Sequence, residues 1–318
     1  MYNRENFETA KNELTRRRTN ARAEADRRDV EVRELSPEIE KIDRELSKTA
    51  MLIFGTAVRG GDIEAIKQRN QELMAKRRAA IVALGYPEDY TEVHYHCPEC
   101  SDTGYINDGM KMCRCMREIL VRETVRSSGM GNLIDHQSFD NFSLDRYKSD
   151  PETLANMEHA LKTAKKYVAS FKTHKTNLLF IGTTGTGKTH ISTAIAREVI
   201  NQGYDVVYDT MQNIANDFED DKFRSGYNTM SEKKSDKYLE CDLLIIDDLG
   251  AEFVTQFTVS ILFNLLNTRQ NKKLATIIST NLDQNGLSAT YDARICSRIL
   301  GKDCHLVLFS GADARIYD

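Results

Sequence analysis

The run GTTGTGKT, Gly182 to Thr189, has the spacing G-x-x-x-x-G-K-T. Glycines at that spacing let the backbone curl until its N–H groups face phosphate oxygens. The lysine then reaches the outer phosphates and the threonine hydroxyl ligates magnesium. Gly182, Thr183, Thr184, Gly185, Thr186, Gly187, Lys188 and Thr189 are therefore expected to cradle the phosphates of ATP with Mg2+. The run sits between apolar LLFI and a helical pattern, so a helix N-terminus adds positive potential and a chance match is the poorer explanation. Downstream, LLIIDD ends an apolar strand in two acids. Asp247 is expected to hold the magnesium through water, and Asp248 to act as general base on the attacking water. Two acids at a strand end could also cap a helix, a reading that weighs more for Asp248. In IISTNL, Asn281 is placed to orient that water. In YDARICSRILG, Arg294 and Arg298 lie four apart on one helix face. Arg298 is expected to reach a neighbouring subunit's γ-phosphate. A solvated basic face is the competing reading and weighs more for Arg294.

A second cluster is HCPECSDTGYINDGMKMCRCM, with Cys97 and Cys100 in C-x2-C and Cys113 and Cys115 in C-x-C. Two close cysteine pairs separated by a turn suit tetrahedral thiolate ligation of structural Zn2+. His94 or His96 could replace one thiolate. A redox pair fits less well, because this C-x-x-C does not open a helix after a strand. Catalytic zinc is disfavoured, since four thiolates leave no open position. The other three cysteines, Cys241, Cys296 and Cys304, read as core thiols.

These residues need elements to hold them. From Pro151 onward, helical patterns alternate with apolar strand runs: LLFIG, DVVY, DLLII, ATIIST and HLVLF. That alternation predicts an α/β fold with a parallel sheet covered on both faces. Residues 1–34 carry nine Lys/Arg and eight Asp/Glu with few apolar side chains, which predicts a helix leaning on a partner or an arm partly without structure. Ser36-Pro37-Glu38 reads as a helix start. Leu35, Ile39, Ile42, Leu46, Thr49 and Ile53 form a heptad-like seam. Gly60-Gly61 breaks it, and Ile63, Ile66, Asn70, Leu73, Arg77 and Leu84 continue it, which favours an antiparallel hairpin. The expected organisation is a coiled-coil arm at 1–87, a zinc module at 88–120, a linker at 121–150 and an ATPase domain at 151–318. The net charge of −4 argues against bulk duplex binding but leaves room for a local single-strand groove. No run is long enough to cross a bilayer, and the N-terminus lacks a signal-peptide core, so a cytoplasmic protein with reduced cysteines and no membrane partner is expected.

The segments SFDNF, NLLFIGTTGTGKTHISTAIA, DLLIIDDLG, IISTNL and RICSRILG together resemble the P-loop AAA+ ATPases, and within them the DnaC/DnaI-type helicase loaders and their IstB-like relatives. The resemblance spans about 139–301. It implies catalytic roles for Lys188, Asp247, Asp248, Asn281 and Arg298, the last as a trans-acting arginine finger. It implies nucleotide contacts from the loop, His190 and a sensor arginine at Arg315. Three residues follow Arg315, so a C-terminal helical lid is expected to be missing and the nucleotide to be enclosed with a neighbour's help. The family places DNA-contacting helices between its second and third strands, where Phe223, Arg224 and Tyr227 stand here.

The implied function is an ATPase, slow alone and completed by self-association. It would deliver a hexameric replicative DNA helicase onto single-stranded DNA at replication initiation, with ATP timing release and the N-terminal arm gripping the helicase. Two other readings stand beside it: an IstB-like transposition helper, and a nucleotide-switched adaptor with negligible turnover.

Overall fold

The computed structural model of the chain describes residues 3–59, 62–224 and 233–313. Contacts divide it into two compact units, residues 11–116 and residues 1–10 with 117–318. None of its helices is long and apolar enough to cross a membrane among the described residues.

In the first unit, most of α1 (Arg4–Leu35) is followed by α2 (Pro37–Val58) and α3 (Glu64–Ala83). Alternating charges keep α1 helical where apolar residues are sparse: Arg17 pairs with Glu13 and Arg33 with Asp29, each one turn away. Pro37 stands in the first turn of α2, with Ser36 extended at the N-cap and no side-chain cap bond. The helices α2 and α3 run antiparallel, since Asp43 meets Arg77 while Thr49 meets Asn70. Of the seam residues Ile39, Ile42 and Leu73 are buried, as is Ile81 beyond the seam, and Leu46, Thr49, Ile53, Ile63, Ile66, Asn70, Arg77 and Leu84 are half-buried. Leu35 is the exception: it ends α1 and is exposed. The Gly60-Gly61 break lies outside the described residues. Asp62 bonds the Glu64 N–H, and Arg77 ties Asp43 of α2 to Asp29 of α1. A small core of Val32, Ile39 and Ile81 is closed by Tyr86 and Tyr90, whose hydroxyls both donate to Glu31. The cysteine segment follows, with the two-residue strands β1 (Tyr105–Ile106) and β2 (Lys111–Met112) pairing antiparallel.

The second unit opens with the remainder of α4 (Arg114–Ser127) and continues through α5 (Leu133–His136), a 3₁₀ turn at Asp145–Tyr147 and α6 (Pro151–Ser170). Then come β3 (Asn177–Ile181), α7 (Lys188–Asn201), β4 (Val206–Thr210), α8 (Met211–Arg224), α9 (Asp236–Glu240), β5 (Leu243–Leu249), α10 (Gln256–Asn271), β6 (Ala275–Thr280), α11 (Gln284–Thr290), α12 (Ala293–Ile299) and β7 (Cys304–Leu308). The five strands β3 to β7 form one parallel sheet in the order β4-β5-β6-β3-β7. Side chains alternate across it. Leu178, Phe180 and Ile245 enter a core with α6 and α7, while Leu179, Ile181 and Leu244 enter another with α8, α10 and α12. Both faces being covered is why the strands read as unbroken apolar runs. This is the parallel P-loop α/β architecture expected from the alternation of elements.

Residues 121–150 do not stand apart as a linker. Val121, Val125, Met130, Ile134, Phe139, Phe142 and Tyr147 all join the sheet core. The first turn of α1 also belongs with this unit: Asn6 Nδ2 donates to Ser127 Oγ at 2.9 Å and to Thr124 Oγ1 at 3.3 Å. Val121 and Val125 lie at the end of α4, but the others are spread over single turns and irregular backbone with no sustained period, so the packing of 128–150 leaves no pattern in the sequence.

Candidate functional site

The sheet brings the predicted groups to one end, at the C-terminal tips of β3, β5 and β6. The turn from Gly182 to Gly187 links β3 to α7. Gly185 and Gly187 hold φ of 75° and 95°, which side-chain-bearing residues rarely adopt. A Cβ on Gly187 would also stand 2.9 Å from the Phe142 ring. Lys188, 5% exposed, donates to Gly182 O at 2.6 Å, Thr183 O at 2.9 Å and Asn281 Oδ1 at 2.6 Å. The loop lysine and the residue predicted to orient water are thus in direct contact.

Asp247 lies at the tip of β5 and is buried. Its Oδ2 accepts from Thr189 Oγ1 at 3.0 Å and from the Tyr208 hydroxyl, and its Oδ1 accepts from Ser279 Oγ. Hydrogen bonds to a charged group contribute about 1.5–3 kcal/mol each, so this carboxylate is firmly oriented. Burial, and then the Asp247 charge, push the Tyr208 phenol well above its ordinary pKa, which keeps it a donor. Asp248 has φ of 52° beside a register shift between β5 and β6. Asp is among the few residues that tolerate this conformation. The turn exposes Asp248 and sets it in the cleft with the phosphate loop, and its N–H bonds Ser279 Oγ at 3.0 Å. Thr189 and Asp247 fit a magnesium site of the kind in which a hydroxyl ligates directly and a carboxylate acts through water.

The cleft over the loop is closed by a segment the sequence reading did not place there. Gln137, Asn141, Phe142, Ser143, Arg146 and Tyr147 line it with the loop residues, His190 and Asp248. Tyr147 donates to Thr186 O at 3.2 Å. His190 does not project freely toward a ligand. Its Nε2 meets Ser138 O at 2.9 Å and Asn141 Oδ1 at 3.0 Å, and Phe142 packs edge-on at 5.1 Å. Both partners are acceptors, so Nε2 carries the proton, and burial lowers the imidazole pKa. His190 therefore holds the SFDNF segment against the loop. Ser279 and Tyr208 were also missed. Ser279, two residues before Asn281, and Tyr208 in VVYDT carried in the sequence only the general signal that a buried hydroxyl needs a partner.

Arg298 does not line the cleft of its own chain. It donates to Asn267 Oδ1 at 2.8 Å and Arg294 O at 3.0 Å, and lies 4.3 Å over the Phe263 ring of α10. Arg294 covers the same ring and pairs with Asp292. Phe223 is 72% exposed near the end of α8. The Arg224 side chain, Tyr227 and Arg315 lie outside the described residues.

The four sulfurs of Cys97, Cys100, Cys113 and Cys115 all lie within 4.8 Å of one another. Cys97 and Cys113 are 3.8 Å apart, and Cys100 and Cys115 3.4 Å. Zn–S bonds of about 2.3 Å in a tetrahedron set sulfurs roughly 3.8 Å apart, so the set fits zinc. Asp102, 1% exposed and left-handed, takes the N–H groups of His96 and Cys97 at 2.9 Å each. The Gly104 N–H points at Cys100 Sγ at 3.4 Å. Neither histidine joins the cluster: His96 meets Arg17, and His94 meets Asp89. The cluster is closed, as a structural site should be.

A family model described as IstB-like ATP binding protein matches residues 116–316. The replicative helicase loader DnaC of Escherichia coli K12 is 26% identical over 183 residues, covering 58% of this chain and 71% of that protein. The phage-like element PBSX protein XkdC of Bacillus subtilis 168 is 27% identical over 269 residues, covering 78% of this chain and 94% of that protein. A crystal structure of the DnaC helicase loader aligns with a TM-score of 0.47 at 19% identity, covering 56% of this chain and 98% of the other.

Proposed function

Because the chain belongs to the family of IstB-like ATP binding proteins, we propose that it is an ATPase that loads a hexameric replicative helicase onto single-stranded DNA. The observation that carries the ATPase reading is the joining of Lys188 to Asn281, and of Thr189 to Asp247, at one end of the sheet. The loading role is supported by similarity to DnaC, whose name states that role.

In this reading, loop N–H groups and Lys188 hold the β- and γ-phosphates, and the cleft residues Phe142 and Tyr147 flank the rest of the nucleotide. Thr189 and Asp247 hold magnesium, which neutralises charge on the phosphates. Asp248 accepts a proton from the attacking water, and Asn281 orients it. Arg298 serves a neighbouring subunit, which requires it to leave Asn267. Turnover is accordingly slow in the isolated chain and rises on self-association. The helical arm grips the helicase, zinc on the four cysteines folds the arm's base, and Phe223 contacts single-stranded DNA. The protein acts in the cytoplasm.

A second reading, a transposition helper, is favoured by the IstB family itself; the partner bound decides between them. The ATP site is tested by Lys188→Ala, which is expected to abolish ATP binding and hydrolysis. Unchanged turnover would remove the assigned site.

A further inference from the structure

Tyr208 lies outside the phosphate-binding pattern of the sequence, yet its hydroxyl sits at the two groups that would hold the metal. It donates to Asp247 Oδ2, the oxygen that also accepts from Thr189 at 3.0 Å. Ser279 donates to Oδ1. An ionised carboxylate offers about four lone-pair sites, two on each oxygen. Tyr208 and Thr189 together fill Oδ2, and Oδ1 keeps one site for an outside donor such as metal-bound water. Without the phenol, either oxygen could take that role and the carboxylate could rotate between them.

The phenol is itself fixed. Tyr208 is 8% exposed, and its strand pairs with β5 on one side, opposite Ile245. On the outer side its N–H donates to Ser128 O at 2.7 Å. Gly129 lies so near that a Cβ on it would stand 2.3 Å from Tyr208 O. The backbone is held from both edges, so the hydroxyl stays at Asp247. An aliphatic residue would fill the same core volume without a polar group to bury, and burying a hydroxyl is costly unless it is bonded.

We propose that Tyr208 is a positioning residue for the magnesium-binding carboxylate: it fills Asp247 Oδ2 and so presents Oδ1 alone to the metal's water shell. The inference rests on the ATP-site reading above. Magnesium demands near-octahedral geometry and keeps several waters, so a carboxylate free to rotate binds that shell less well. Contacts of the loop N–H groups with phosphate do not depend on Tyr208.

The test is binding of a fluorescent ADP to the full chain with Mg2+ and with EDTA, alongside thermal melting. Tyr208→Phe keeps the ring and removes only the hydroxyl. Wild type is expected to bind more tightly with Mg2+. Tyr208→Phe is expected to lose about tenfold of that gain, the scale of one hydrogen bond to a charged group, with affinity in EDTA unchanged. In an Asp247→Asn background the same change is expected to cost nothing further. A magnesium gain that survives Tyr208→Phe, or equal losses with and without the metal, would overturn the inference while leaving the ATP site standing. Wild type that binds no nucleotide would overturn both.

Discussion

Asp205 opens β4 from a buried position, and burial raises its pKa to about 6, with the Asn3 amide at 3.4 Å only partly opposing the shift. The unfolded value is near 3.9. Between about pH 4 and 6 the folded chain therefore holds more protons than the unfolded one, and stability falls as pH rises through that window. Above it the loss is constant. Asp205→Asn is expected to be more stable than wild type by about 1–3 kcal/mol at pH 8, with the gap closing near pH 4. Denaturant melts at the two pH values measure this, and an equal gap at both would contradict it. At this scale the chemistry was legible where residue types are restricted. Lys188 and Thr189 stood out because a phosphate cradle needs that spacing, Asp247 and Asn281 because they end apolar strands in polar groups, and the structure brings the four together. Ser279 and Tyr208 did not stand out, because a hydroxyl facing a carboxylate looks in sequence like any core polar residue. His190, expected at the nucleotide, lines the cleft while its Nε2 is engaged with Ser138 and Asn141.

Among the elements, the parallel strands were legible because burial on both faces forces apolar runs, and the α2–α3 seam because its heptads survive. The strand order and the role of 121–150 were not, since both depend on contacts between residues far apart in sequence. The cysteine segment shows how short spacing can carry an element that packing alone could not. Its strands are two residues each, and below about 40 residues a fold needs metal or disulfides. The turn residues Ser101, Asp102, Asn107 and Asp108 all take left-handed backbone, which costs energy that metal binding can offset, since structural zinc sites contribute on the order of 10 kcal/mol. Purified protein is expected to hold about one zinc per chain, as four thiolates fill one tetrahedral ion. A strong chelator, or Cys113→Ser, is expected to release it and open residues 97–116 to proteolysis. A metal-free sample with the same melting and proteolytic resistance would contradict the assignment.

Taken whole, the chain joins a unit built on side-chain charge pairs to a unit built on a two-faced apolar core. Their chemistry differs accordingly. The sheet unit brings Lys188, Asp247 and Asn281 to one end, where the proposed phosphate chemistry would need them. The helical unit leaves Met51, Leu52, Phe54 and Val58 exposed toward the end of α2, a cluster suited to a protein partner. Arg298 is held here by Asn267 and Phe263, so its proposed role at the nucleotide of another subunit carries the further proposal of an oligomer. A given fold hosts different functions, so the partner bound decides the function. The central claim is therefore tested most directly by mixing the full chain and ATP with the hexameric replicative helicase of the same source and following both by size-exclusion chromatography with light scattering. The account predicts a comigrating complex that forms with ATP and fails with Lys188→Ala. Absence of any complex with the helicase, together with stable binding to a transposase, would contradict it.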